Sequence, residues 1–222
     1  MDKRKLLRGL RASRTLEEKR IDAYHEAGHA AVDWMFGNSN NIRFIDMRGN
    51  LDSRAFVSAK RWNLGKFDLA DSLTRCFVAL HTKQDVMYCL AGYAAGNRIR
   101  PSDYDHWLDE QLDMNGCDWS EGNPKDPHDV ARALRAAKNL WGDNGNAWRF
   151  LRQMASWTDD ALSHPRLWDV VATLAERLAG VKARMSGAVA CRIMDKAWGD
   201  ETTLPYMDMG RRWRRRFRMS RT

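Results

Sequence analysis

Residues 16–36, LEEKRIDAYHEAGHAAVDWMF, constrain this chain more than any other stretch. They contain no proline and one glycine, Gly28. Thr15, with Glu18 three positions later, forms the S/T-x-x-E pattern that closes the first turn of a helix. Gly37 stands where such a helix would stop. Ile21, Tyr24, Gly28, Val32 and Met35 recur at three- and four-residue spacing, which marks a buried face. One long helix is therefore expected here, and it carries His25 and His29 on a single face.

That pairing has chemical consequences. Imidazoles four residues apart on a helix can reach one ion. Neutral imidazole nitrogen binds zinc at about 2.0–2.1 Å, and a catalytic site keeps one position open for water. Glu26 follows the first histidine, where it is placed to activate a zinc-bound water instead of binding the metal. The small neighbours Ala27, Gly28, Ala30 and Ala31 let another backbone come close. With six His and seven Glu in 222 residues, His-Glu-x-x-His arises by chance in roughly one such chain in two hundred, so the pattern carries weight. The competing reading is a helix whose histidines are ordinary surface or core residues.

Two histidines and a glutamate do not complete a site. A metzincin would continue His-x-x-Gly-x-x-His, but Val32 and Met35 occupy those positions. A thermolysin-like site needs a downstream Glu ligand, and no Glu occurs between Glu26 and Glu110. The third ligand must come from a later segment.

Length and composition bound the rest. A chain of 222 residues, 44% hydrophobic and 30% charged, can bury one sizeable core. No run of apolar residues is long enough to span a membrane, and no apolar stretch follows the basic N-terminus, so a cytoplasmic protein is expected. Cys76, Cys89, Cys117 and Cys191 form no Cys-x-x-Cys pair, and are read as reduced and mostly buried thiols. The net charge of +8 is uneven. Residues 1–14 hold six Lys/Arg and one Asp, and residues 211–222, RRWRRRFRMSRT, hold seven Arg and no acid. The intervening body is mildly acidic.

The element pattern is mostly helical. "NIRFIDMR" and "RAFVSAKR" read as two short strands joined by "GNLDS". Helices are expected over 68–81 and 84–95, within "HDVARALRAAKNLWG", over 145–158 and 166–178, and finally over 187–198. Residues 100–127 form a polar, acidic, turn-rich excursion. Trp34, Trp141, Trp157, Trp168 and Trp198 sit in helical patterns and are read mostly as packing residues. Trp107 and Trp119 lie in the excursion, where packing is preferred over a role in a substrate groove.

"AYHEAGHAAVDWMFG" resembles the zinc-protease domain of the FtsH family, whose signature is His-Glu-Ala-Gly-His-Ala within a long helix. "YCLAGYAAGNRI" is similar to that family's "LAGRAAEE" helix, and "HDVARALRAAKNLWG" to its "NDLxxATxxARxMV" helix. The segment "LWDVVATLAERLAGVKARMSGAVACRIM" resembles its C-terminal helices. The likeness spans about residues 16–198. It implies a mainly α, zincin-like peptidase domain with one small β-hairpin. It also implies Zn²⁺ held by His25, His29 and Asp129, with Glu26 as the catalytic carboxylate. The family's paired Glu is replaced by Gly96 and Asn97, and no Gly-x-x-x-x-Gly-Lys-Ser/Thr loop is present. An ATP-independent peptidase acting on unfolded or flexible polypeptides, alone or with an external unfoldase, is thus implied.

Alternatives stand beside these readings. Asp129 or Asp126, in "DPHD", could simply cap a helix. His128 is the nearest rival as third ligand and His106 a remoter one, while His81 and His164 have no assigned role. The expected organisation is a basic arm (1–14), a peptidase domain (15–200) and a basic tail (201–222). Arginines interleaved with Trp213 and Phe217 could bind nucleic acid, an anionic membrane surface or an acidic partner. In the rival function the zinc site is vestigial or structural and the tail acts.

Overall fold

The computed structural model describes residues 15–48, 56–59, 71–101, 103, 106–114, 129–142 and 145–199. Helix α1 (Leu16–Met35) begins with the expected cap. The Glu18 N–H donates to the Thr15 hydroxyl at 3.1 Å, and the Thr15 N–H donates back to the Glu18 carboxylate at 2.9 Å. Gly37, with φ of 78°, turns the chain out of the helix in a conformation that side chains disfavour. Tyr24, Gly28, Val32 and Met35 are buried, as the spacing predicts, and Ile21 is half-buried.

Strand β1 (Ile42–Asp46) pairs antiparallel with β2 (Phe56–Ala59), with Ile45 opposite Val57. The expected hairpin is extended by a third strand, β3 (Arg184–Ser186), on the other side of β1, giving the order β2-β1-β3. Three residues are too few to show strand alternation in sequence, so β3 is recruited by the open edge of β1. Arg184 of β3 and Arg48 both reach the Asp46 carboxylate.

The two helices expected over 68–81 and 84–95 are one helix, α2 (Ser72–Ile99). Nothing between His81 and Gln84 breaks a helix, since neither Gly nor Pro occurs there. Thr82 is buried in the middle of it. The Asp71 carboxylate caps its start by accepting the Thr74 N–H at 2.6 Å.

The acidic excursion is also partly helical, as α3 (Trp107–Met114). Trp107 is 4% exposed and its indole N–H donates to Asp159 at 2.9 Å, so it packs as a core residue. Trp119, Cys117, Asp126 and His128, the "GNLDS" turn, the arm 1–14 and the tail 200–222 lie outside the described residues.

Helices α4 (Asp129–Trp141), α5 (Gly145–Leu162), α6 (Pro165–Ala179) and α7 (Gly187–Trp198) complete a mainly helical fold. Helix α1 lies between α2 and α6, α2 packs also on α4 and α5, and α7 bridges α6 and β1. Trp34 and Trp198 are buried, Trp157 and Trp168 pack against the core from its margin, and Trp141 is 49% exposed. Cys76, Cys89 and Cys191 form no disulfide among the described residues, and Cys76 is exposed. Among the described residues no helix is long and apolar enough to cross a membrane.

Candidate metal centre

Helices α1 and α2 are in close contact, and small residues make this possible. A Cβ on Gly28 would stand 2.5 Å from the Ala91 carbonyl oxygen, so only glycine fits there without moving backbone. The expectation that small residues beside the histidines admit another backbone is met by α2. This contact brings the Tyr88 carbonyl to within 2.6 Å of His29 Nδ1. A carbonyl oxygen only accepts, so Nδ1 is the protonated nitrogen. A neutral His29 then presents an Nε2 lone pair to the interior.

Three atoms face one another at that point. His29 Nε2 and His25 Nε2 are 3.0 Å apart. Asp129 Oδ2, from the first residue of α4, lies 3.1 Å from His29 Nε2 and 3.7 Å from His25 Nε2. An ion bound tetrahedrally at about 2.0–2.1 Å would set its ligand atoms about 3.3–3.4 Å apart. The observed triangle brackets that spacing, so the three residues fit one small divalent cation. They are also a group of His, Cys, Asp or Glu side chains that could hold a metal ion.

The electrostatics agree with the geometry. Burial acts to raise the Asp129 carboxyl, but His29 and His25 beside it hold it well below the usual carboxylate range. The anion is thus present beside two imidazoles. Arg132, one turn along α4, donates to the other oxygen, Oδ1, at 3.2 Å and turns Oδ2 toward the histidines. His29 is 3% exposed, whereas the His25 and Asp129 side chains are 23% and 21% exposed. The centre therefore has a closed floor and one side open to solvent.

Glu26 is 3% exposed. Burial pushes its carboxyl up to about 8, against the pull of nearby His25, and its carboxylate takes a hydrogen bond from the Val57 backbone of β2. Its Oε2 is buried without a hydrogen-bond partner among the described residues. A buried carboxyl with one oxygen unspent, beside a triad that fits a cation, has the features of a proton carrier.

The structure therefore brings His25, His29 and Asp129 together, with Glu26 next to them. His106 is elsewhere, with Nε2 3.0 Å from Asp159 and Nδ1 accepting the Leu108 N–H at the start of α3. His81 packs on Phe77, and His164 precedes α6 beside Trp198. Three contributors escape the motif: the Tyr88 carbonyl, Arg132, and Gly92, against which both imidazoles rest. Only Gly92 leaves a trace in sequence, as part of the small-residue run "AGYAAG". The chain matches no protein-family model and no curated protein.

Proposed function

We propose that this chain is a zinc-dependent endopeptidase of the FtsH-like zincin type, acting on unfolded or flexible polypeptides. The observation that carries the reading is the convergence of His25, His29 and Asp129 beside a buried glutamate. The triad joins residues about a hundred positions apart in sequence, at separations of 3.0–3.7 Å. Zn²⁺ bound there would supply a Lewis acid that polarises a peptide carbonyl and makes water a better nucleophile at neutral pH.

The chain's own groups have distinct tasks. His25, His29 and Asp129 hold the ion, and their open side admits substrate. Glu26 takes a proton from the attacking water and delivers it to the leaving amine nitrogen. Its Oε2, buried without a hydrogen-bond partner among the described residues, leaves an oxygen for that proton. The Tyr88 carbonyl keeps His29 in the tautomer that leaves Nε2 free. Strand β2 is an outer strand of the sheet among the described residues, and its Val57 backbone touches both Glu26 and Tyr88. An extended polypeptide added to that edge would lie within reach of Glu26, held by main-chain pairing that is tolerant of sequence.

The test pairs metal analysis with casein digestion. Purified protein is expected to bind about one zinc per chain and to digest casein in a chelator-sensitive way. Glu26→Gln should retain zinc and fold while hydrolysis falls on the order of a hundredfold or more. Equal digestion by the wild type and Glu26→Gln would sink the peptidase reading.

A further inference from the structure

We propose that Gly92 is a positioning residue of the metal centre, because its missing side chain is what lets the two imidazoles converge. This inference rests on the metal reading above. A Cβ at Gly92 would stand 2.4 Å from His29 Nε2 and 2.6 Å from both Nε2 and Cε1 of His25. These are the nitrogens that face Asp129. No real Cβ tolerates such contacts, so an added methyl must displace the rings or itself.

The contrast with Gly28, on the facing helix, gives this its meaning. At Gly28 the obstacle is the Ala91 backbone and the Ala95 Cβ at 2.7 Å, and neither can move without parting the helices. At Gly92 the nearest atoms are the far ends of side chains. His25 has solvent on one side and can swing outward, whereas His29 is buried and tied to the Tyr88 carbonyl. A methyl at position 92 is therefore absorbed by turning His25 outward and pushing the His29 ring off its hydrogen bond to Tyr88, which moves side-chain ends only and breaks the ligand triangle. Tyr93, whose ring lies edge-on to His25 with centroids 5.0 Å apart, marks the direction from which His25 is held in place.

The experiment uses the full chain and zinc alone, measured by competition with a chromophoric chelator, together with Tm in EDTA. Gly92→Ala is expected to bind zinc about 10- to 100-fold more weakly than wild type, the range seen when outer-shell support is lost. Its Tm in EDTA should stay within a few degrees of wild type. Gly28→Ala should instead show a large loss of Tm in EDTA, because the backbone of α2 must part from α1. Wild-type zinc affinity in Gly92→Ala overturns the inference, as does a Tm loss matching that of Gly28→Ala. Should Gly92→Ala fail to fold, the triple variant His25→Ala/His29→Ala/Gly92→Ala decides. Recovery of the His25→Ala/His29→Ala Tm in EDTA supports a clash with imidazole, and continued unfolding shows that helix packing excludes the side chain and overturns the inference. A wild-type protein that binds no zinc overturns the metal reading itself, and is thereby distinguished from failure of the Gly92 inference alone.

Discussion

Two carboxylates in this fold are each flanked by nitrogen-bearing side chains, yet those nitrogens differ in what they can do. Asp46, on β1, is 3% exposed and sits between Arg48 and Arg184. It accepts from Arg48 Nη2 at 2.9 Å, Arg48 Nε at 3.1 Å and the Arg48 backbone N–H at 2.9 Å, and also from Arg184 Nε. Every nitrogen there is an obligate donor, so the cluster is closed and its formal charge is +1. Asp129 sits between His25 and His29, whose Nε2 atoms can each offer a lone pair. With neutral imidazoles those three side chains sum to −1 and, with Arg132 at Oδ1, to 0, while the two lone pairs could still take up a cation. A carboxylate between nitrogens thus makes a staple for the sheet in one place and a triad that could hold a metal ion in the other.

Exchanging the carboxylate for its amide separates the two. Asp129→Asn keeps the shape and removes the charge that a divalent ion needs. Zinc affinity should fall by at least about a hundredfold, near 2.7 kcal/mol. Asp46→Asn should leave zinc affinity within about twofold of wild type. Chelator competition on both proteins measures this directly. Undiminished zinc affinity in Asp129→Asn would erase the distinction and return Asp129 to the role of a helix cap.

How much of this could be read in the sequence differs by element. Helix α1 was legible in its start, its stop and its buried face, because capping and periodicity are local. The break expected in α2 near residues 82–83 was wrong, since the polar residues there interrupt the apolar pattern without interrupting the backbone hydrogen bonding. Strand β3 was hidden because its pairing partner, β1, lies far away in the chain. That His25, Glu26 and His29 share one helix followed from spacing. Asp129 entered only through resemblance, because a lone Asp at a helix start reads more readily as a cap. The Tyr88 carbonyl could not be found at all, since every residue carries one. Gly92 was visible as a small residue, but the imidazoles that require it to be small come from tertiary packing.

A smaller effect is expected at the arginine-flanked carboxylate, and it depends on pH. The Arg48 hydrogen bonds, with those of Arg184, hold Asp46 well below the usual carboxylate range despite its burial. A carboxylate with a depressed folded pKa adds stability above its unfolded value, near pH 4, and that stability is lost as pH falls further. Asp46→Asn should therefore lower Tm at pH 7 by a few degrees, as expected for losing charged hydrogen bonds worth about 1–3 kcal/mol. The gap to wild type should close progressively below about pH 4. Thermal melts in EDTA at pH 7, 4 and 3 give the comparison without metal linkage. A gap that stays constant across that range would mean that the amide disturbs packing and that the ion pairs contribute nothing.

The smallest effect concerns Arg132, which borrows the staple's chemistry for the metal site. Its guanidinium donates to Asp129 Oδ1 from three residues along α4, and its side chain is 42% exposed. Exposed ion pairs of this kind are worth up to about 1 kcal/mol, so Arg132→Gln should weaken zinc binding by at most about fivefold. The direction follows from two opposing contributions. Removing Arg132 takes away a positive charge that repels the ion, which favours binding, but it also frees Asp129 to rotate Oδ2 away from the histidines. Because the Coulombic part is screened by salt and the orienting part is not, the two separate when affinity is measured at 0.05 M and 1 M salt. If orientation dominates, Arg132→Gln binds zinc more weakly than wild type at both salt concentrations. Tighter binding at low salt that disappears at high salt would show that Arg132 acts as a nearby charge, and the orienting role assigned to it at Asp129 would fall.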